Sequence, residues 1–257
     1  MPRKFASILL VAVGCVTAPF TDRRQFIVVS DAQMETIGAQ AFDEVQRKER
    51  LATNQSLTQT MVKVGKRLAE ASEANFDWRF VLLESKEVNA FCLPGGKVAV
   101  YTGILPFAQT EAGLAAILGH EIAHAVLKHG AERLSQGVAT QIGLSAAGVA
   151  LGDNRYHDLI LKAVGLSVTV GAVLPFSRMQ ESEADLVGLR FMTQAGYRPE
   201  EAVALWQRMM QSKKSESLAI LSTHPASSER IKALQRALPE VASIYEGSEK
   251  QVGGVLH

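Results

Sequence analysis

Three residues whose side chains bind metal ions or transfer protons, His120, Glu121 and His124, form the pattern HExxH. Four residues of an α-helix advance by about 400°, so the two histidines lie one turn apart and both imidazoles can face one ion. Glu121 points to an adjacent sector, where its carboxylate can take a proton from an attacking water without ligating the ion. The pattern predicts zinc-dependent peptide hydrolysis, with Glu121 as the general base.

Three fixed letters also arise by chance, and the alternative is two core histidines with a buried, salt-bridged glutamate. The surrounding residues favour the metal site, since Ile117, Leu118 and Ile122 make this helix strongly apolar. Burial of three polar groups in such a helix is expected where a catalytic zinc needs a dry environment.

A catalytic zinc needs a third protein ligand and an open position for water. Glu181 and Asp185 are four residues apart on a predicted helix and share a face, whereas Glu183 lies about 200° from Glu181 and points elsewhere. We therefore predict Glu181 as the third ligand, with one zinc ion per chain. Asp185 is predicted to orient a histidine ligand through its second ring nitrogen. The alternative is an exposed acidic helix face.

Besides the two histidines of the motif, His129 and His224 are further candidate site histidines. His129 would lie about 140° around an unbroken helix from His124 and is not expected to be a ligand. His224 opens a loop before a helix that contains Arg230. This pair could stabilise the oxyanion of a tetrahedral intermediate, or His224 could occupy the open zinc position, and an ordinary turn residue is the third alternative.

The elements around these residues predict an α+β, mainly helical fold. Ser30 and Gln33 form a capping box for the first helix, and the apolar spacing from residue 57 to 71 predicts a second. Strand-like residues 78–83 and a Pro-Gly-Gly turn between 89–93 and 98–101 predict a small sheet with a hairpin. The arm Asn89-Ala90-Phe91 could pair with an extended substrate, or it could be purely structural. Further helices are predicted at 111–130, from Ser177 through Leu189, at 200–210 and at 227–238.

Composition limits the function classes. The chain has 257 residues, 47% of them hydrophobic, with a formal net charge of +1. It can bury a large core, and its mixed charges give no basis for binding nucleic acid. Two apolar runs, 137–151 and 159–175, are shorter than the roughly 20 residues that span a bilayer, so we predict helices packed on the core, although both could rest on a membrane surface.

The first residues resemble an export signal: Arg3 and Lys4 precede an apolar run from Phe5 to Val16. Within it, Ala12-Val13-Gly14-Cys15 is similar to a bacterial lipobox, which predicts a signal peptide at 1–14, lipid on Cys15 and a tether at 15–29. The alternative is an ordinary cleaved signal with an incidental cysteine. A single catalytic domain at 30–240 and a loose tail at 241–257 complete the predicted organisation.

Several passages together resemble metallopeptidase family forty-eight, the gluzincin group that contains HtpX, the CAAX prenyl endopeptidases, the Oma-type proteases and short LoiP- and BepA-like lipoprotein proteases. The residues that carry the resemblance are TDRRQ (21–25), NAF (89–91), PGG (94–96), LGHEIAHAVLKHGAER (118–133), FSRMQESEADLVG (176–188) and STHPASSERI (222–231).

The resemblance implies a gluzincin fold with zinc held by His120, His124 and Glu181, and Glu121 as the base. It also implies Asp185 as a supporting residue and places His224 and Arg230 near the reacting carbonyl or in a regulatory plug. From the lipoprotein members we expect a periplasmic, outer-membrane-anchored protease that removes misfolded or misassembled envelope proteins. The alternative is a chaperone or assembly factor with a self-inhibited zinc site.

Overall fold

The computed structural model describes residues 15–146, 176–212, 218–251 and 253–256. Helices predominate in these ranges, and the predicted α+β, mainly helical fold class is confirmed. The elements in chain order are β1 (Cys15–Thr17), β2 (Arg24–Phe26), α1 (Asp31–Lys48), α2 (Gln55–Ala71), β3 (Arg79–Leu83), β4 (Ala90–Leu93), β5 (Lys97–Tyr101), a 3-10 turn (Thr102–Ile104), α3 (Leu105–Ala108), α4 (Glu111–Val126), α5 (His129–Ala146), α6 (Arg178–Gln194), α7 (Glu200–Gln211), α8 (Ala219–Thr223) and α9 (Ser228–Gly247).

Side-chain caps fix where several helices begin. The Ser30 hydroxyl accepts the Gln33 backbone N–H at 3.2 Å and the Gln33 side chain accepts the Ser30 N–H at 2.9 Å, which confirms the predicted capping box. Ser177 and Gln180 form a second box at the start of α6. A cap of this kind stabilises a helix by about 1 kcal/mol. The second box sets the first turn of the helix that carries Glu181.

The three-stranded sheet has the order β3-β5-β4, with β3 parallel and β4 antiparallel to β5. The predicted hairpin is confirmed, since Ala90 pairs with Val100 and Leu93 with Lys97. Gly95 and Gly96 form its turn with φ of 73° and 80°, a conformation that favours glycine because other residues have a Cβ. β5 is the central strand, β3 and β4 are the two edge strands, and β4 packs beside α4.

Helix α4 forms the centre of the core, and fifteen of its sixteen residues are buried. It packs most extensively against α6, where Gly119 of α4 meets Gly188 of α6. A Cβ on Gly188 would lie 2.8 Å from the Gly119 carbonyl carbon, so the two backbones can approach this closely only without side chains. This contact sets the distance between the helix of His120 and the helix of Glu181.

Helix α4 ends at Val126 and not near Gly130, so the predicted C-terminal boundary is wrong. Lys128 has a φ of 55°, which turns the chain before α5 begins at His129. The Gln25 side-chain amide donates to the Leu127 carbonyl at 2.7 Å and satisfies one group left free at the helix end. The break changes the direction in which His129 points.

The prediction that residues 15–29 form a tether is also wrong. β1 and β2 pair as an antiparallel hairpin, and Ala18, Gln25, Ile27 and Val29 are buried. Ile27 and Val29 pack with Met34 and Ala131, which explains why this segment is ordered against the domain.

The predicted loose tail at 241–257 is wrong over its described part. Helix α9 continues through Pro239 to Gly247. Beyond it, the Gln251 N–H donates to the Gly196 carbonyl, and the Glu111 N–H donates to the Gly254 carbonyl. The last described residues therefore lie against the start of α4.

Two predictions concern residues outside the described ranges: the signal peptide at 1–14 and most of the Gly- and Ala-rich stretch 137–175. Among the described helices, none combines the length and the apolar character needed to cross a bilayer.

Candidate active site

His120 and His124 face the same side of α4, as the spacing predicts. Their Nε2 atoms are 3.1 Å apart, and both side chains are buried. Thr110 caps the helix by accepting the Gly113 N–H at 3.1 Å. Because α4 is clamped between the sheet and α6, the two imidazoles project from a rigid element.

Glu181 and His224 bring two more donors to the same point. Glu181 Oε1 lies 3.3 Å from His124 Nε2, and Oε2 lies 3.5 Å from His120 Nε2. His224, the residue after α8, places its Nδ1 2.9 Å from Glu181 Oε1 and 3.2 Å from His120 Nε2. All four side chains are buried, and their candidate ligand atoms lie within 4.8 Å of one another.

This donor set fits a tetrahedral divalent cation. Zinc–nitrogen bonds of about 2.0–2.1 Å separate neighbouring ligand atoms by about 3.4 Å in a tetrahedron. The nitrogen–nitrogen and nitrogen–oxygen separations of 2.9–3.5 Å lie close to that value. Three imidazoles and one carboxylate are also the donor types that zinc prefers.

Glu121 lies beside this cluster without joining it. Its side chain is buried, and its Oε1 has no hydrogen-bond partner among the residues that the structure describes, although His224 Nε2 is 3.5 Å away. Burial raises the pKa of Glu121, an effect that the neighbouring His224 and His120 oppose. A buried carboxylate oxygen with free acceptor capacity suits a group that accepts a proton from water.

Asp185 and Arg230 lie together on one side of the donor cluster. Asp185 Oδ1 lies 3.0 Å from His120 Nδ1, the ring nitrogen that points away from the cluster. Arg230 donates to both oxygens of Asp185 at 2.7 Å, and its Nη1 lies 2.7 Å from Glu181 Oε2. Burial alone would raise the pKa of Asp185, but the charge and hydrogen bonds of Arg230 outweigh it and lower that pKa. The Asp185 carboxylate is thus ionised and can hold a proton on His120 Nδ1.

Sequence reasoning missed two aromatic residues that enclose the site. The centroid of the Phe176 ring lies 3.9 Å from that of the His124 ring and 5.1 Å from that of the His224 ring. The ring centroids of Trp206 and His120 are 5.6 Å apart, and Arg230 Cζ lies 4.0 Å from the Trp206 centroid. Phe176 directly precedes the capping serine of α6, a position that gave no chemical signal in the sequence.

His129 is the other residue whose place was missed. It is not among the four converging donors, as expected, but its Nδ1 lies 2.9 Å from His124 Nδ1. The break before α5 brings it there. Burial lowers the pKa of His129 to about 4, although Glu183 opposes this effect, so the ring is neutral near pH 7.

The predicted substrate arm lies at the edge of the sheet. Ala90 is buried, Phe91 packs near Tyr101 with ring centroids 6.2 Å apart, and Asn89 donates to the exposed Glu87 carboxylate at 2.9 Å. Cys15, the predicted lipidation site, begins β1 with its Cα opposite Phe26.

The model of Peptidase family M48 matches residues 52–238, a range that contains His120, His124, Glu181 and His224. The chain belongs to peptidase family M48. Its M48 relatives include the mitochondrial metalloendopeptidases OMA1 of Schizosaccharomyces pombe and Saccharomyces cerevisiae. The first is 36% identical over 90% of this chain and 68% of its own length, and the second is 31% identical over 90% and 71%. The chain is thus a metalloendopeptidase, which confirms the predicted enzyme class.

A third relative in M48 is the beta-barrel assembly-enhancing protease of Escherichia coli, 26% identical over 68% of this chain and 37% of its own length. The more similar M48 relatives are mitochondrial proteins of eukaryotes. This finding contradicts the prediction of a bacterial lipoprotein anchored to the outer membrane in the periplasm. The predicted lipid on Cys15, which rests on the lipobox-like residues before it, is not supported by these comparisons.

Proposed function

We propose that this chain is a zinc endopeptidase that cleaves unfolded or misassembled polypeptides, with zinc held by His120, His124 and Glu181. The observation that carries the proposal is the buried cluster of four donors beside the unpartnered oxygen of Glu121. Two histidines and a glutamate are a common protein ligand set for catalytic zinc.

Bound zinc supplies Lewis acidity, which acidifies water and polarises the scissile carbonyl. Glu121 accepts the proton of the attacking water at Oε1 and returns it to the leaving amine. Asp185 fixes the His120 ring through Nδ1, and Arg230 holds Asp185 and Glu181 in place. Phe176 and Trp206 exclude water from the side of the cluster that they cover.

The substrate would bind as an extended strand. Within the described ranges, β4 pairs with a strand along one edge, the edge facing β5, so its other edge can donate and accept main-chain hydrogen bonds. Such pairing recognises the backbone and requires a segment that is not already folded. This requirement supports unfolded or misassembled substrates, as does the name of the beta-barrel assembly-enhancing relative.

His224 blocks the position that water would occupy in the active site. Its Nδ1 is a fourth protein donor within the cluster, whereas a catalytic zinc keeps one position for water. We therefore assign His224 the role of a plug that must leave before Glu121 can act on water. The same observation favours the second candidate function, an assembly factor that holds its clients and rarely cleaves them.

The test of the proposal is the Glu121→Gln substitution in the full chain. The amide keeps the shape of the side chain and cannot accept the proton, so zinc binding should persist while casein cleavage falls to background. Glu240→Gln, an exposed position on α9, is the matched control and should retain full cleavage. Cleavage by the Glu121→Gln protein at the wild-type rate would refute the mechanism. If the wild-type protein binds zinc and protects unfolded casein from aggregation without cutting it, the assembly-factor function is the correct one.

A further inference from the structure

A series of hydrogen-bonding groups leads from the candidate metal site to the N-terminal hairpin. His124 Nδ1 lies 2.9 Å from His129 Nδ1, and His129 Nε2 lies 3.1 Å from Glu183 Oε2. Arg23, in the turn between β1 and β2, donates its Nε–H to both oxygens of Glu183 at 2.8 and 2.9 Å. These four residues form a relay, and each comes from a different element: α4, α5, α6 and the hairpin turn.

Residues outside the relay also hold Arg23 in place. The Arg23 Nη1 and Nη2 atoms donate to the two oxygens of Glu132 at 2.6 and 2.7 Å. Glu132 also accepts from the Gln180 amide at 2.8 Å. His129 is fully buried, so water cannot replace its two partners. The direction of the two hydrogen bonds of His129 is therefore set by the protein groups alone.

The position of each proton in the relay follows from the two ends. The Glu183 carboxylate accepts from Arg23 at both oxygens, so its contact with His129 Nε2 requires the His129 proton on Nε2. The facing Nδ1 atoms are 2.9 Å apart and share one proton, and His129 Nδ1 accepts this hydrogen bond because its ring proton lies on Nε2. The donor is His124 Nδ1, so the His124 proton lies on Nδ1 and its Nε2 lone pair points into the donor cluster.

We propose that His129 is a positioning residue that fixes the tautomer and ring orientation of His124 for binding zinc through Nε2, and that the Arg23–Glu183 ion pair sets the direction of this relay. His129 does for His124 what Asp185 does for His120 on the other side of the site. The proposal rests on the proposed function only in taking zinc as the ion. It assigns a role at the metal site to the segment 15–29.

The first test is nitrogen NMR of the full, zinc-loaded protein labelled with 15N at histidine. We expect the His124 proton on Nδ1 and a scalar coupling between the Nδ1 nuclei of His124 and His129, which only an N–H···N hydrogen bond between them can produce. The coupling should be absent in His129→Leu. A His124 ring that carries no proton on Nδ1, or that shows no coupling to His129, would overturn the proposal.

The second test is zinc affinity, measured by competition with a chromophoric chelator. Removing a group that orients a metal-binding histidine typically lowers affinity by about 10- to 100-fold, and we expect a loss of this size for His129→Leu. His129→Asn places its Oδ1 on the same carbon as the lost Nδ1 and keeps an acceptor for His124, so its affinity should stay within about threefold of wild type.

Val138→Ala is the matched control, because Val138 is buried on the same helix and takes part in none of the relay's described hydrogen bonds. It should bind zinc as the wild type does. An affinity for His129→Leu within twofold of wild type, or an equal loss in Val138→Ala, would overturn the proposal. If His129→Leu does not fold, His129→Asn and the NMR coupling still decide it.

Neither test uses peptide cleavage, so the relay and the proposed function can fail separately. A chain with the expected coupling and affinities that cleaves no substrate keeps the relay and refutes the peptidase activity. A chain that cleaves casein through Glu121 but shows no coupling keeps the activity and refutes the relay. A wild-type chain that does not bind zinc would overturn both.

Discussion

The strongest prediction concerns Arg230, which compensates two buried carboxylates in the metal-free protein. Arg230 and Asp185 are each about 5% exposed and Glu181 is 1% exposed. The guanidinium lies 2.7 Å from both oxygens of Asp185 and from Glu181 Oε2. Arg230→Met keeps much of the apolar stem and removes the charge. Breaking one such buried pair costs about 3–5 kcal/mol, because the remaining carboxylate is left uncompensated.

Urea unfolding of the protein in a chelator, followed by circular dichroism, measures this loss. Arg236→Met, at an exposed position on the same helix, is the control and should change the unfolding free energy by less than about 0.5 kcal/mol. Adding Asp185→Asn to Arg230→Met should recover part of the loss, since a neutral amide is cheaper to bury than a carboxylate. A loss below about 1 kcal/mol for Arg230→Met would refute the idea that these carboxylates depend on Arg230.

Three further predictions follow from the same geometry. His224→Ala should increase casein cleavage at saturating zinc, because the plug is gone; cleavage at background would mean that His224 assists the reaction. The pKa of Asp185 is lower in the folded state than in the unfolded state, where it is about 3.9. The Asp185 ion pair therefore contributes its full stabilisation of the fold above about pH 3.9, and this stabilisation is lost as the pH falls through the lower folded pKa. Acid unfolding followed by fluorescence should therefore be less steep in Asp185→Asn, and an unchanged profile contradicts this assignment. Gly188→Ala should lower the free energy of unfolding in urea by about 1–3 kcal/mol and weaken zinc binding, because the new Cβ would meet the Gly119 backbone and push α6 away from α4. Unchanged zinc affinity would argue against this spacing role.

The sequence allowed prediction of those parts of the site that local periodicity controls. His120 and His124 share a face because they are one helical turn apart, and Glu181 and Asp185 share a face for the same reason. The structure places all four where this geometry requires. The hairpin followed from Pro-Gly-Gly, and the helix starts followed from their capping residues.

The contacts of His129 depend on a helix break at Lys128 that the sequence pattern did not predict. Periodicity continued the helix to Gly130, but Lys128 adopts a positive φ and ends it. Gly130, the nearest glycine, lies inside α5, and the break before it is held by tertiary contacts such as the Gln25 amide on the Leu127 carbonyl. A boundary that depends on a partner more than 100 residues away cannot be found from a local window.

The order of the segment 15–29 was hidden for a similar reason. Burial alternates at Gln25, Ile27 and Val29, but Gln25 is polar and the intervening Phe26 and Val28 are apolar, so the sequence pattern did not show this period. Their order comes from packing on α1 and α5 and from the ion pairs of Arg23. The described part of the C-terminal segment is likewise ordered by hydrogen bonds to Gln109, Glu111 and Gly196.

The distance along the chain between the donors has a consequence for biosynthesis. His120 and His224 touch across a separation of 104 residues, and Glu181 finds its counterion, Arg230, later still. During synthesis the HExxH helix leaves the ribosome long before the carboxylate, the plug and the arginine are available. A growing chain therefore cannot complete the proposed ligand set before Glu181 has been made, and the buried Glu181 carboxylate gains its counterion only when Arg230 follows.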